Sequence, residues 1–184
     1  MTVTELLAAI RQPYAEKLAQ TANAQEAYVE PAYRTSDGAL ATEGLWDLPC
    51  RADVIAATGE NAGESIQVDS QSQLDFAPIH FSIAETSVEL APFIWDWLPL
   101  EVSGLAQDQA AQVLIDWFNQ WFDGEDENPV NEAGLQEVIH FMSDPEPTAD
   151  GLKLTIDLGS APSEAVEDLL FALSDAGAAK VQLG

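Results

Sequence analysis

Apolar residues recur at helical spacing along the first part of the chain. Val3, Leu6, Leu7, Ile10, Tyr14 and Leu18 fall on one side, which predicts a helix over residues 3–22. Thr2 and Glu5 have the spacing of a capping box at its start, and Pro13 is expected to kink or divide it. Tyr28, Val29 and Tyr33 then suggest a short extended piece interrupted by Pro31. Residues 52–57 and 64–69 read as a hairpin around the turn TGENAG. After Pro78, Ile79, Phe81 and Ile83 alternate with His80 and Ser82, the pattern of a half-buried strand, and a second strand is expected from about Val88 to Trp97.

The stretch 93–128 organises the rest, because it holds four of the five tryptophans. Trp95 and Trp97 are two apart, so a strand would point both to one face. Trp117 and Trp121 are four apart, on the apolar side of an amphipathic helix predicted over 107–122, with Gly124 as its stop. Residues 137–143 read as the next strand. Residues 151–158 read as the clearest one, with Leu152, Leu154, Ile156 and Leu158 facing one way and Lys153, Thr155 and Asp157 the other. A helix over 161–176, capped by Ser160 or a neighbour, and a short strand over 180–183 close the chain.

These elements predict an α+β fold whose N-terminal half is a helix plus short antiparallel strands. From Val88 the order is β-α-β-β-α-β, which resembles the ferredoxin-like arrangement. The resemblance is architectural and implies that two helices cover one sheet face, leaving the second for the N-terminal half or a partner. His140, Lys153, Thr155 and Asp157 are expected toward that second face. A single domain over 1–184 is expected, with an N-terminal lobe over 1–78 and a C-terminal lobe over 79–184 as its subdivision.

Charge changes this picture. Thirty-two acids against six bases leave −26, and no Lys or Arg occurs between Arg51 and Lys153. Such a field repels nucleic acid and anionic membranes and attracts basic proteins. One cysteine, Cys50, excludes an internal disulfide, and the first residues lack the basic region of a signal peptide, so a cytoplasmic location is expected. No apolar stretch has the length of a membrane span.

Candidate chemistry is sparse. The loop Asp123-Gly-Glu-Asp-Glu-Asn128 follows a helix C-terminus, where further negative charge is unfavourable unless a cation offsets it. Its alternative reading is a plain solvated loop. It lacks the ligand positions of an EF-hand. His80 and His140 show no metal-ligand spacing with each other or with Cys50, so no metal and no cofactor are expected. Ser160 sits at a strand-to-helix turn, where a nucleophile with His140 and Asp157 as partners is conceivable, but the GxSxG elbow is absent and a helix cap accounts for it.

The leading expectation is a non-enzymatic interaction protein that binds a basic partner, with inhibition of that partner as one outcome, as immunity proteins and DNA mimics do. Asp123, Glu125, Asp126 and Glu127 would steer the partner and Trp121 would anchor it. One alternative is an enzyme or small-ligand protein with a pocket near His80, His140 and Asp157. The other is an acidic surface that reflects habitat alone. Self-repulsion at −26 predicts that the midpoint of urea unfolding rises as salt is added from low to moderate concentration; a flat midpoint would count against a destabilising field.

Overall fold

Helix α1 (Val3–Asn23) opens the chain under the expected capping box: Glu5 N donates to Thr2 Oγ1 at 3.1 Å, and Thr2 N donates to Glu5 Oε2 at 2.7 Å. The computed structural model describes residues 1–184, and in it Pro13 does not divide the helix. Five short strands follow: β1 (Ala27–Val29), β2 (Thr42–Glu43), β3 (Leu48–Pro49), β4 (Val54–Ala56) and β5 (Ser65–Ile66). β1, β4 and β5 form an antiparallel sheet in that order, and β2 pairs with β3. The hairpin around TGENAG is present in shortened form, with Val54 opposite Ile66.

The remaining elements are β6 (Ile79–Ile83), β7 (Thr86–Leu90), β8 (Leu98–Ser103), α2 (Gln107–Phe122), β9 (Phe141–Met142), β10 (Glu146–Pro147), β11 (Gly151–Asp157), α3 (Ser163–Asp175) and β12 (Lys180–Leu183). They build one seven-stranded mixed sheet in the order β10-β11-β8-β12-β7-β6, with β9 also on β11. Only β12 and β7 run parallel. The chain is therefore α+β, but the order expected from Val88 is not found as expected. Residues 88–97 are not one strand: β7 ends at Leu90, and Trp97 N bonds back to Ile94 O at 2.9 Å, closing a turn. That turn separates the two tryptophans, so Trp95 is fully buried while Trp97 is 58% exposed. Of residues 137–143, only Phe141 and Met142 join the ladder, because Glu137 takes φ 60 and Ile139 N bonds instead to Trp121 O.

One cluster of buried apolar side chains runs from Leu6 and Tyr14 of α1 through Val54 and Val68 to Val181 and Leu183. α2 packs on α3, and α1 packs on α3. The N-terminal half thus meets the helical layer, while Glu101, Lys153, Thr155 and Gln182 line an open groove on the other sheet face. No helix is long and apolar enough to cross a membrane.

Arg51 ties the two halves together. Its side chain is fully buried and donates to Phe122 O and Asp123 O at the C-terminus of α2, and to Glu30 O, with the guanidinium over the Phe122 ring. It satisfies carbonyls that a helix end leaves without partners. Its charge is matched by Asp126, 2.9 Å away. Arg51→Met is expected to cost about 3–5 kcal/mol in urea unfolding, since it leaves these carbonyls without a partner and Asp126 with Arg34 alone. An unchanged midpoint would mean that the α2 terminus is held by packing alone.

Candidate functional site

At the acidic loop, α2 is stopped by Asp123 rather than Gly124. Asp123 adopts the left-handed conformation (φ 54), and its carboxylate accepts Glu127 N at 3.1 Å and Asn128 N at 2.8 Å. Asp126 pairs with Arg34 and Arg51, which hold its carboxyl below the usual range although burial pushes the other way. Glu125 and Glu127 are the two acids of this loop without such partners, and both are exposed. Trp121 is half-buried, and its indole Nε1 is buried without a hydrogen-bond partner.

The histidines are not brought together. His80 is exposed on edge strand β6, opposite Glu89, whereas His140 is 1% exposed. His140 leads into β9, with its main-chain N bonded to Asp157 O and its carbonyl accepting Arg51 N. Its ring lies between carboxylates from the other half of the chain, with Nε2 2.7 Å from Glu30 Oε1 and Nδ1 2.9 Å from Asp53 Oδ1. Asp157 Oδ2 is 4.0 Å from Nδ1. Gly159 makes room for the ring, since a Cβ there would lie 2.3 Å from His140 Cδ2.

Outer contacts fix each of these carboxylates. Glu30 accepts Gln136 N and Ser160 N, Asp53 accepts Tyr14 OH at 2.6 Å and Val68 N at 2.7 Å, and Asp157 Oδ1 accepts Gly159 N at 2.9 Å. Burial alone would favour neutral imidazole, but the bonds to Asp53 and Glu30 and the field of Asp157 win, pushing His140 up to about 10. Burial would likewise protonate Glu30 and Asp53, yet the bond to His140 holds both below the carboxylate range. Asp157 goes the other way: burial pushes it up to about 7, His140 opposes the rise, and Asp53 adds to it. The result is an imidazolium clamped by two carboxylates, beside a third carboxyl that shares no hydrogen bond with it.

Asp53 and Asp157 also line an open cleft of about 390 Å³, shared with Asp69, Asp96, Phe141 and the exposed Trp97. No Lys or Arg lines it; Lys17 donates to the main-chain carbonyl of Asp69, not to its carboxylate. Burial raises the Asp96 carboxyl above its ordinary value, with Asp69 and Asp53 adding to the rise. A larger groove of about 560 Å³ runs along α1, but its one base, Arg11, is engaged with Ser160 O and Ala161 O. Asp53, His140 and Asp157 each present a ligand atom within 4.8 Å of the others, so they are the group capable of holding a metal ion.

The sequence suggests His80, His140 and Asp157 as one pocket; the structure brings together His140 and Asp157 with Glu30, Asp53, Asp69, Asp96 and Trp97 as neighbours that sequence spacing does not reveal. Two signals were present: Asp53 is a lone acid within the apolar run Ala52 to Ala57, and Glu30 stands between Val29 and Pro31. Ser160 does not cap α3, which begins after Pro162 with no side-chain cap. Its Oγ is fully buried and accepts Glu137 N and Val138 N, a structural position closed to a substrate.

The folded imidazolium titrates above its unfolded counterpart. Its stabilisation is complete below pH about 6.5 and is lost as pH rises through about 10. Stability from this group should therefore fall between pH 7 and 9.5 with a slope approaching about 1.4 kcal/mol per pH unit, read from urea melts. Nitrogen-15 spectra of a His80→Asn variant should still show a doubly protonated ring at pH 8. A ring that is neutral there would remove the clamp. Geometry carries the functional reading, because no family model, curated protein or solved structure matches the chain.

Proposed function

We propose that this chain is a binding protein for a basic partner, and that a Lys or Arg side chain of that partner enters the cleft between Trp97 and the four aspartates. The observation that carries this reading is the exposed Trp97 indole on a wall otherwise bearing Asp53, Asp69, Asp96 and Asp157, with no base lining it. An aromatic face attracts a cation by about 0.5–2 kcal/mol, and carboxylates around it add steering and orientation. The acids of the 123–127 loop have a smaller part here, since Asp126 and Asp123 are engaged internally; Glu125 and Glu127 steer from a distance.

A small cationic ligand is the second reading, favoured by the perturbed Asp157 beside ionised Asp53 in a cleft. From β8 onward, the order β12-β8-β11-β9, with α2 and α3 as crossovers, supports a ferredoxin-like arrangement beginning one strand later than Val88 and widened by β7 and β6. That architecture carries no function by itself. We place the protein in a reducing cytoplasm on the single free Cys50.

Capture from native lysate at low and high salt tests the assignment with three proteins: wild type, Asp69→Asn/Asp96→Asn/Trp97→Ala, and Glu125→Gln/Glu127→Gln. The cleft reading expects a basic protein that wild type and the loop variant retain at low salt, that high salt releases, and that the cleft variant loses. Loss in the loop variant alone would move the interface to the 123–127 loop. Equal recovery by all three would abandon both surfaces.

A further inference from the structure

We propose that His140 Nδ1, Asp53 and Asp157 form a site for one divalent transition-metal ion on the floor of the aspartate cleft. Their ligand atoms lie within 4.8 Å of one another, and atoms bound at 2.0–2.2 Å to a common ion are spaced by about 3–4 Å, so small side-chain shifts close the site. The donors are a buried imidazole and two carboxylates. That mixed nitrogen and oxygen set suits Zn²⁺ or Mn²⁺ better than Ca²⁺ or Mg²⁺, which take oxygen alone.

Each donor is oriented from behind by a group that is not itself a ligand. Glu30 accepts from Nε2 of His140 at 2.7 Å, the outer carboxylate that a metal-bound histidine ordinarily has, and it directs Nδ1 toward Asp53 and Asp157. Tyr14 OH and Val68 N hold Asp53, and Gly159 N holds Oδ1 of Asp157. Oδ2 of Asp157, 4.0 Å from Nδ1, is beyond hydrogen-bond reach of the ring. His140 lies behind the cleft surface, while Asp53 and Asp157 line the cleft and open the site to water on their side. On binding, the ion takes the place of the Nδ1 proton, which leaves to solvent, while the Nε2 proton stays on Glu30's side. Asp53 and Asp157 also face the cleft assigned to the basic partner, but the ligand set needs none of Asp69, Asp96 and Trp97, so the metal site can be tested without the basic-partner reading.

The test uses the full chain, dialysed against chelator and titrated with Zn²⁺ by calorimetry, with nitrogen-15 spectra of the His140 ring recorded in parallel. One equivalent should bind, shifting Nδ1 while Nε2 keeps its proton. Asp157→Asn, which keeps the acceptor for Gly159 N, should weaken Zn²⁺ by at least about tenfold. Asp96→Asn should change it by less than about threefold. Zn²⁺ uptake that leaves the His140 resonances unmoved would show surface binding by an acidic protein and overturn the site, as would equal affinity in folded Asp157→Asn. Should that variant fail to fold, the wild-type ring spectrum decides alone. Loss of the basic partner on Asp69→Asn/Asp96→Asn/Trp97→Ala with Zn²⁺ binding intact would separate the two sites.

Discussion

An imidazolium held between two carboxylates is the constraint on which the two halves of this chain depend. Glu30 and Asp53 come from the short-stranded N-terminal part, and His140 comes from the segment entering β9. Any one of these charges buried alone would be strongly unfavourable, and removing one partner leaves another uncompensated. Assembly is therefore close to all-or-none at this point. The backbone around it carries the cost: Glu30 at φ 53 and Glu137 at φ 60 are left-handed non-glycine residues, and Gly159 at φ 51 lies against the ring. Five other non-glycine residues, Asp47, Gln71, Ala84, Asp123 and Asp126, share this conformation elsewhere in the chain, so such strain is not confined to the cluster.

Three of the six bases of this chain, its arginines, work as clamps on main-chain carbonyls. Arg51 closes the α2 terminus, Arg11 closes the Ser160 and Ala161 carbonyls before α3, and Arg34 reaches Gly38 O, Gly124 O and Asp126. A planar guanidinium with several donors suits this task, since one side chain satisfies two or three carbonyls in fixed directions. The consequence is electrostatic as well as structural. Arg11, Arg34 and Arg51, half of the six bases, are committed to these clamps and so are not free cations on the acidic surface.

Much of the architecture was legible because it rests on local periodicity. α2 has the expected bounds, β11 and β12 lie where alternation and position put them, and α1 starts at its capping box. What failed was non-local. A strand is expected from about Val88 to Trp97, but a four-residue turn from Ile94 to Trp97 interrupts it and throws one indole inward and the other outward. Residues 137–140 look extended in sequence, yet their partners are Trp121, Asp157 and Ser160, which periodicity does not reveal. The site suffered most, since Glu30, Asp53 and His140 are separated by tens of positions and converge only through tertiary packing.

A uniformly acidic surface is explained by solubility or habitat, because dispersed carboxylates in water need no special environment. The carboxylates of the cleft are not dispersed in this way. Desolvation raises Asp157 and Asp96, and the charge of Asp53 adds to the rise in both. A carboxyl that serves only to attract water gains nothing from such a position, whereas one that meets a cation recovers the lost hydration when the ligand arrives. Trp97 points the same way: a large indole 58% exposed beside several acids is unfavourable in isolation and useful against a cationic or planar group. In this cleft, burial and an aromatic wall make negative charge costly to leave unneutralised.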